Sequence, residues 1–319
     1  MITPDFDIST RDGDKLLPPL QNCVIALGTF DGMHIAHCEL IRQAVDLARR
    51  TGAEAVGVWC FRDAPAGVLK NEPTLLLNTL QEKINSMISL GADFVAVGDF
   101  QSFRSMSARD YIDKILLEQL GCIGAVCGFN HRFGHMGAGN AELLCQCLGH
   151  ERVVTVPEIK LDGETVSSSA IRAYITQGRI ERANEMLGRS FALRAQVVSG
   201  KKLGRRLDFP TANQYFPHGI VVPKHGIYAT RCIFDGHSYI GVSNVGIRPT
   251  ITDGTDAHQP NCETYIHGFS GDLYGKELTV EFYQFLREEQ RFDSLPQLKE
   301  QISKDLLGAI AYFEQKKEK

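Results

Sequence analysis

Apolar residues run without a break through Cys23-Val24-Ile25-Ala26-Leu27 and stop at Gly28. A run that short, closed by a glycine, predicts a buried strand. Ile41, Ala44, Val45 and Ala48 then recur at helical spacing, which predicts a helix from near His34 to Arg50. Ala55–Trp59 reads as the next strand. A helix over Thr79–Leu90 ends at Gly91 and precedes the strand Phe94–Val97. A helix over roughly Ala108–Leu120 leads to the strand Gly124–Cys127 and a glycine-rich loop, Gly128–Gly139. Strands alternating with helices predict a parallel sheet covered on both faces. Ligands on such sheets sit at the carboxyl ends of the strands, where Gly28–Gly32 and Gly128–Gly139 both fall. Residues 1–20 are polar, contain Pro18-Pro19, and read as a lead-in.

The pattern changes near residue 187. Phe191–Ser199, Gly226–Phe234, Ser238–Val245, Cys262–Ile266 and Glu277–Phe285 read as strands with few helices between them. Asp235-Gly236 between two of these runs is a hairpin signal. A small antiparallel β-barrel is predicted, closed by a helix over Leu295–Glu314. The expected division is therefore residues 1–186, α/β and Rossmann-like, and residues 187–319, an antiparallel barrel.

Composition narrows the function. The 319 residues include 34 Lys and Arg against 38 Asp and Glu, a net charge of −4. That balance argues against a protein that coats nucleic acid, which needs a broad basic face. No apolar run approaches the roughly 18 residues that span a bilayer, and the N-terminus has no signal-peptide layout. The nine cysteines include no paired C-x-x-C spacing, so neither a disulfide framework nor a zinc site is expected. Cys145-Gln146-Cys147 reads as part of a half-buried helix. A reducing cytoplasm fits this usage. No coiled coil or apolar surface helix offers a reading of oligomeric state.

Two segments carry chemistry. In Gly28-Thr29-Phe30-Asp31-Gly32-Met33-His34-Ile35-Ala36-His37, two histidines at i and i+3 share a face in the first turn of a helix, after a glycine-bounded loop. A helix N-terminus attracts anions, and imidazoles add donors for a phosphoryl group. Far downstream, the Gly- and Arg-rich run Gly200–Arg206 precedes Leu207-Asp208-Phe209-Pro210-Thr211-Ala212-Asn213. Thr211 and Asn213, two apart on an extended segment, point to one side. Both offer the hard oxygen that Mg²⁺ takes when it also holds nucleotide phosphates. Two nucleotide-handling segments in one chain suggest two sequential reactions on related substrates.

The first segment resembles the nucleotidylyltransferase superfamily. Gly128-Phe129-Asn130-His131-Arg132-Phe133-Gly134 and Val166-Ser167-Ser168-Ser169-Ala170-Ile171-Arg172 strengthen that likeness. The C-terminal half carries G-x-x-x-G-R-x-L-D-F-P-T-A-N, then Gly226–Ala229, Gly241–Thr250, Glu263–Ile266 and Asp272–Gly275, in that order. Together these look like a riboflavin kinase domain. From about residue 20 to its end, the chain is similar to the bacterial bifunctional riboflavin kinase/FAD synthetase family.

The resemblance implies MgATP as co-substrate, riboflavin and FMN as small-molecule substrates, and FMN and FAD as products. His34 and His37 would stabilise the α-phosphate during adenylyl transfer. Gly28, Phe30, Asp31, Gly32, Asn130, Ser168, Ser169 and Arg172 would hold nucleotide and phosphate. In the kinase half, Thr211 and Asn213 would hold Mg²⁺ and ATP phosphates. Glu263 would act as base toward the ribityl hydroxyl. Gly200, Lys201, Gly204 and Arg205 would cover the nucleotide, and Tyr274 and Arg287 would lie near the flavin. The chain departs from the family pattern at Ala36, where glycine is common, and at Phe61–Pro65, which lacks a usual histidine. It departs again at His131, where phenylalanine is usual, and at Asp208, where glycine is usual. Three rival expectations stay open: a riboflavin kinase with a degenerate adenylyltransferase domain, a flavin-binding regulatory protein without turnover, and nucleotide transfer to another phosphate acceptor.

Overall fold

The computed structural model describes residues 6–10, 19–70, 74–199, 209–247 and 259–317. The chain divides into two compact units, residues 1–168 and 169–319.

The first unit begins with β1 (Phe6–Thr10) and β2 (Cys23–Leu27), followed by α1 (Ile35–Thr51) and β3 (Ala55–Phe61). Next come α2 (Pro65–Lys70), α3 (Leu80–Ser89), β4 (Phe94–Gly98) and the short α4 (Phe100–Phe103) and α5 (Ala108–Asp110). The segment Tyr111–Gln119 continues α5 as a π-helix into β5 (Cys122–Gly128). α6 (Ala141–Leu148), β6 (Val153–Val156) and the small hairpin β7 (Lys160–Leu161) with β8 (Glu164–Thr165) complete the unit. The sheet order is β1-β4-β3-β2-β5-β6. β2 through β6 are mutually parallel. Strand order reverses between β2 and β5, and a crevice opens there at the carboxyl ends. Both glycine-rich segments, at Gly28 and Gly128, follow those two strands.

Alternating β2 side chains serve two cores. Cys23, Ile25 and Leu27 pack with Ile112, Ile115 and Leu116 of the π-helical segment and Leu144 of α6. Val24 and Ala26 pack with Leu40, Ile41, Ala44 and Leu47 of α1 and Met87 of α3. Helices thus cover both faces, as the strand–helix alternation predicts. The lead-in reading of residues 1–20 needs correction. Phe6–Thr10 forms an antiparallel edge strand, Phe6 opposite Gly98 and Thr10 opposite Phe94.

The second unit opens with α7 (Ser168–Thr176) and α8 (Ile180–Leu187). Six strands follow: β9 (Phe191–Gln196), β10 (Thr211–Tyr215), β11 (Gly226–Phe234), β12 (His237–Ile247), β13 (Pro260–Ile266) and β14 (Glu277–Arg287). α9 (Leu295–Lys317) ends the unit. The order β10-β13-β12-β11-β14-β9 is antiparallel throughout. The two edge strands meet where Val198 N–H donates to Asn213 C=O at 2.8 Å. Gln214, fully buried, adds a stitch by donating to Ala195 C=O and Leu278 C=O at 2.8 and 2.7 Å. These contacts close the sheet into the predicted barrel, with Tyr228, Phe282 and Phe191 buried in it.

α9 covers the outer face of β11 and β12, where Ala309, Tyr312 and Phe313 meet Ile227, Ala229 and Val242. Its position is fixed by Arg287 of β14, whose Nε and Nη2 donate to the two oxygens of Asp305 at 2.8 and 2.6 Å. Those side chains are 17% and 6% exposed. Removing one partner of such a pair costs about 3–5 kcal/mol, because the other charge is left buried.

Candidate functional site

The N-terminal site is built on a tightly wound turn after β2. Phe30, Gly32 and Met33 have φ of +55°, +82° and +47°. Such backbone costs roughly 1–3 kcal/mol per non-glycine residue, so something must hold it. Phe30 and Met33 are buried, at 0% and 1% exposure. A Cβ on Gly32 would lie 2.4 Å from Leu77 Cδ1, so both the φ and the space require glycine there. Polar bonds finish the clamp. Leu77 N–H donates to Asp31 Oδ1 at 2.8 Å, and Gly32 N–H donates to Asn78 Oδ1 at 3.0 Å. The Ser168 hydroxyl donates to Asp31 C=O at 2.8 Å.

The turn delivers two histidines to the start of α1. His34 is the N-cap, with extended backbone, and its Nδ1 accepts the His37 N–H at 3.3 Å. That bond requires an unprotonated Nδ1, so in neutral His34 the proton sits on Nε2, a donor for a phosphate oxygen. The two rings stack at 3.6 Å and 14°, and the residues are 5% and 8% exposed. Burial pushes His34 down to about 4. His37 is held well below the ordinary value by burial, then by His34 and Lys83. Both rings are therefore neutral at pH 7. His37 Nδ1 is fully covered and has no partner.

Asn130 is exposed in the loop after β5, where His131 N–H closes a turn on Gly128 C=O at 3.0 Å. His131 takes the usual phenylalanine's place as an aromatic would, stacking on Phe133 at 5.7 Å and 27°. The residue is half-exposed overall, but its Nε2 is fully covered and unpartnered. Burial pushes this ring also down to about 4. Ser169 and Arg172 lie on α7, and the guanidinium donates to the Ser169 hydroxyl at 3.3 Å.

The three depressed histidines set a pH dependence. Unfolded histidines titrate near 6.5, so between that value and about 4 the unfolded chain takes up protons that the folded one refuses. Stability from these rings is complete above pH 6.5 and is lost as the pH falls toward 4. Urea midpoints of the first unit are expected to drop through this window, and H131F is expected to reduce the drop. An identical drop in H131F would mean that His131 is solvated.

In the second unit the site is a row across the barrel wall. Asn213 of β10 pairs with Glu263 of β13, and Glu263 pairs in turn with Asn244 of β12. Paired residues in antiparallel strands share a face. The opposite face holds the interior hydroxyl ladder Thr230–Ser243–Thr264, each step 2.8 Å, so the row lies on the outside. Asn213 is 6% exposed, and its Nδ2 donates to Thr211 C=O at 3.4 Å. Asn261 Nδ2 donates to Glu263 Oε1 at 3.3 Å. The Oδ1 atoms of Asn213 and Asn244 are both covered and have no partner. A buried carbonyl without a donor costs about 1–3 kcal/mol, so two of them flanking a carboxylate fit a cation bound by hard oxygen donors. Asn244 is the residue that the motif reading misses. Its place becomes apparent only through strand register.

Thr211 and Tyr274 share a cavity of about 320 Å³ with Phe269 and Asp272. Asp272 Oδ1 accepts the Tyr274 N–H at 3.0 Å, which fixes that turn. Arg287 lies in register with Ile227, next in the row to Asn244, but its guanidinium is engaged by Asp305 and by Glu288 C=O. Gly200, Lys201, Gly204 and Arg205 lie outside the described residues, as does Asp208. Cys145 and Cys147 are half-buried on α6, as expected. The ligating atoms of Cys145, Glu142 and His150 lie within 4.8 Å of one another.

Comparison with known proteins agrees with both halves. Residues 17–170 match the FAD synthetase family model, and residues 187–313 match the riboflavin kinase model. The chain is 34% identical to the bifunctional riboflavin kinase/FMN adenylyltransferase of Bacillus subtilis, over 91% of this chain and 92% of that one. It is 35% identical to the protein of that name from Pseudomonas fluorescens, over 93% and 95%. A solved structure described as a macrolide-efflux protein from Streptococcus pneumoniae superposes with a TM-score of 0.80 and 26% identity, over 93% of this chain and 95% of that one. Among the described residues, no helix of this chain is long and apolar enough to cross a membrane. The chain belongs to the bifunctional riboflavin kinase/FMN adenylyltransferase family, which makes FMN from riboflavin and FAD from FMN at the expense of ATP.

Proposed function

We propose that the two reactions divide between residues 187–319, which phosphorylate riboflavin, and residues 1–186, which adenylylate FMN. In the barrel, Thr211, Asn213 and Asn244 supply neutral oxygens and Glu263 a carboxylate. The two orphaned amide oxygens carry this reading. Mg²⁺ bound there would neutralise charge on the ATP phosphates. Glu263 accepts the proton of the ribityl hydroxyl as that oxygen attacks the γ-phosphorus and ADP leaves. The Thr211–Tyr274 cavity takes nucleotide or flavin. Arg287 acts on the flavin side through the α9 anchor.

In the N-terminal domain, a phosphate oxygen of FMN attacks the α-phosphorus of ATP and pyrophosphate leaves. Neutral His34 donates from Nε2 to an α-phosphate oxygen, and His37 backs it by stacking. Gly28–Gly32 form the cradle, while Asn130, Ser169 and Arg172 contact phosphate or ribose. Ser168 acts by latching Asp31. Little covalent participation is needed, since positioning and charge stabilisation supply most of the rate. We place the protein in the cytoplasm, with no nucleic-acid or membrane partner, on its mild negative charge and free cysteines.

The test is a time course. The purified chain is incubated with riboflavin, ATP and Mg²⁺, and the flavins are resolved by chromatography. FMN is expected to rise and then give way to FAD. FMN accumulating alone, even when fresh FMN and ATP are supplied, would overturn the adenylyl-transfer assignment. An unchanged course without added divalent cation and with chelator would overturn the Mg²⁺ site.

A further inference from the structure

Lys83 lies on α3, yet it is 4% exposed. Its Nζ donates to Phe61 C=O at 2.8 Å and to Thr29 C=O at 3.4 Å. Among the described residues no carboxylate pairs with it. A buried ammonium costs several kcal/mol unless it is neutralised, and two carbonyl dipoles do not cancel a full charge. This one sits at the carboxyl ends of β2 and β3, the edge of a parallel sheet where ligands bind.

The residues just before it grip the same turn. Asn78 accepts Gly32 N–H, and Leu77 N–H holds Asp31. A capping box, Thr79 with Glu82, fixes the start of α3. Between Leu77 and Lys83 the chain therefore holds the nucleotide turn at Thr29, Asp31 and Gly32, and holds the end of β3 at Phe61. Asn78 Nδ2 is also fully covered and has no partner.

We propose that Lys83 is a positioning residue for adenylyl transfer: its ammonium ties the Thr29 and Phe61 carbonyls together and brings a positive charge, paired with no carboxylate among the described residues, to the turn that carries the His34–His37 pair. This rests on the assignment of that pair to adenylyl transfer. The charge has two consequences. It raises the local potential where the polyphosphate of ATP arrives. It also opposes protonation of His37. The other titratable groups nearby are His34, stacked on His37 from the helix cap, and the Asp31 carboxylate, engaged by Leu77 N–H. From β3, the Cys60 thiol also feels Lys83.

The experiment compares the full-length wild type with K83M, K83Q and K83R. Initial rates of FAD formation from FMN and ATP are measured from pH about 4 to 8, so that the window reaches the lowered histidine range. Riboflavin phosphorylation is followed in the same preparations as an internal control. K83M is expected to lower kcat for FAD formation by about 100-fold, the scale of a displaced reacting geometry. Its acidic limb is expected to move to higher pH, because His37 loses a repelling charge. K83Q keeps one amide donor without the charge, so it should lose less rate and show the same shift; it also carries the test if K83M does not fold. K83R should keep the wild-type limb and recover most of the rate. FMN formation should stay unchanged in all three. Wild-type FAD formation by K83M, or an acidic limb that does not move in K83M and K83Q, would overturn the proposal while leaving the adenylyl-transfer assignment intact. A wild type that forms no FAD would remove both.

Discussion

Replacing Glu263 with Gln is expected to lower FMN formation by about 10²- to 10⁴-fold, the usual worth of a positioned general base. FAD formation from supplied FMN should be unchanged in the same protein. The substitution is nearly isosteric. Glu263 lies in a ladder between Asn213 and Asn244, and its Oε1 accepts from Asn261, a bond that a glutamine oxygen can also accept. The barrel core behind it, with the hydroxyl ladder through Ser243, is untouched. What is lost is the site's basicity and one negative charge, so Mg²⁺ dependence should also shift to higher concentration. Steady-state rates with riboflavin and with FMN, taken separately, check both halves of the expectation. Full FMN formation by E263Q would show that another group accepts the proton.

The second large effect is expected from His34→Asn. Asparagine is among the best N-cap residues, so it replaces the cap that His34 Nδ1 gives to His37 N–H. It cannot replace the Nε2 donor. FAD formation should fall by about 10²- to 10³-fold, the cost of deleting one donor to developing charge on a transferring group. Riboflavin phosphorylation should be unaffected, and the first unit should keep its melting temperature. His34→Ala would confound the two roles, because losing the cap alone costs about 1 kcal/mol. An H34N protein that melts normally and makes FAD at the wild-type rate would remove His34 from the chemistry.

Much of this architecture was legible in the sequence, and the exceptions have physical reasons. β2 through β5 are announced by short apolar runs that end at glycine or at a helix, because strands buried on both faces carry little else. β1 is different. Phe6-Asp7-Ile8-Ser9-Thr10 is a five-residue alternation on a sheet edge, placed by pairing with β4 some ninety residues later. The π-helical turn over Tyr111–Gln119 leaves no clear mark either, since nine residues are too few to separate its period from that of an α-helix. At the sites, His34, His37, Thr211 and Asn213 stood out through local motifs, and Glu263 through the family resemblance alone. Asn244 did not, because its role depends on lying opposite Glu263 across two strands. Lys83 carries no motif in the sequence; it is turned inward by tertiary packing, through its bonds to Thr29 and Phe61. Arg287 precedes two acidic residues, Glu288 and Glu289, yet its partner Asp305 is supplied by the helix that follows.

The bond from the Ser168 hydroxyl to Asp31 joins residues 137 positions apart. Order of synthesis gives that separation a meaning. The turn after β2 leaves the ribosome early, while its latch follows on the order of ten seconds later at ordinary translation speed. Through that interval the left-handed backbone that Phe30 and Met33 adopt in the finished fold lacks its last tie. A stalled or truncated chain that stops short of Ser168 would carry the histidine pair on an unlatched loop, so FAD-forming capacity is acquired in one of the last steps of building the first unit.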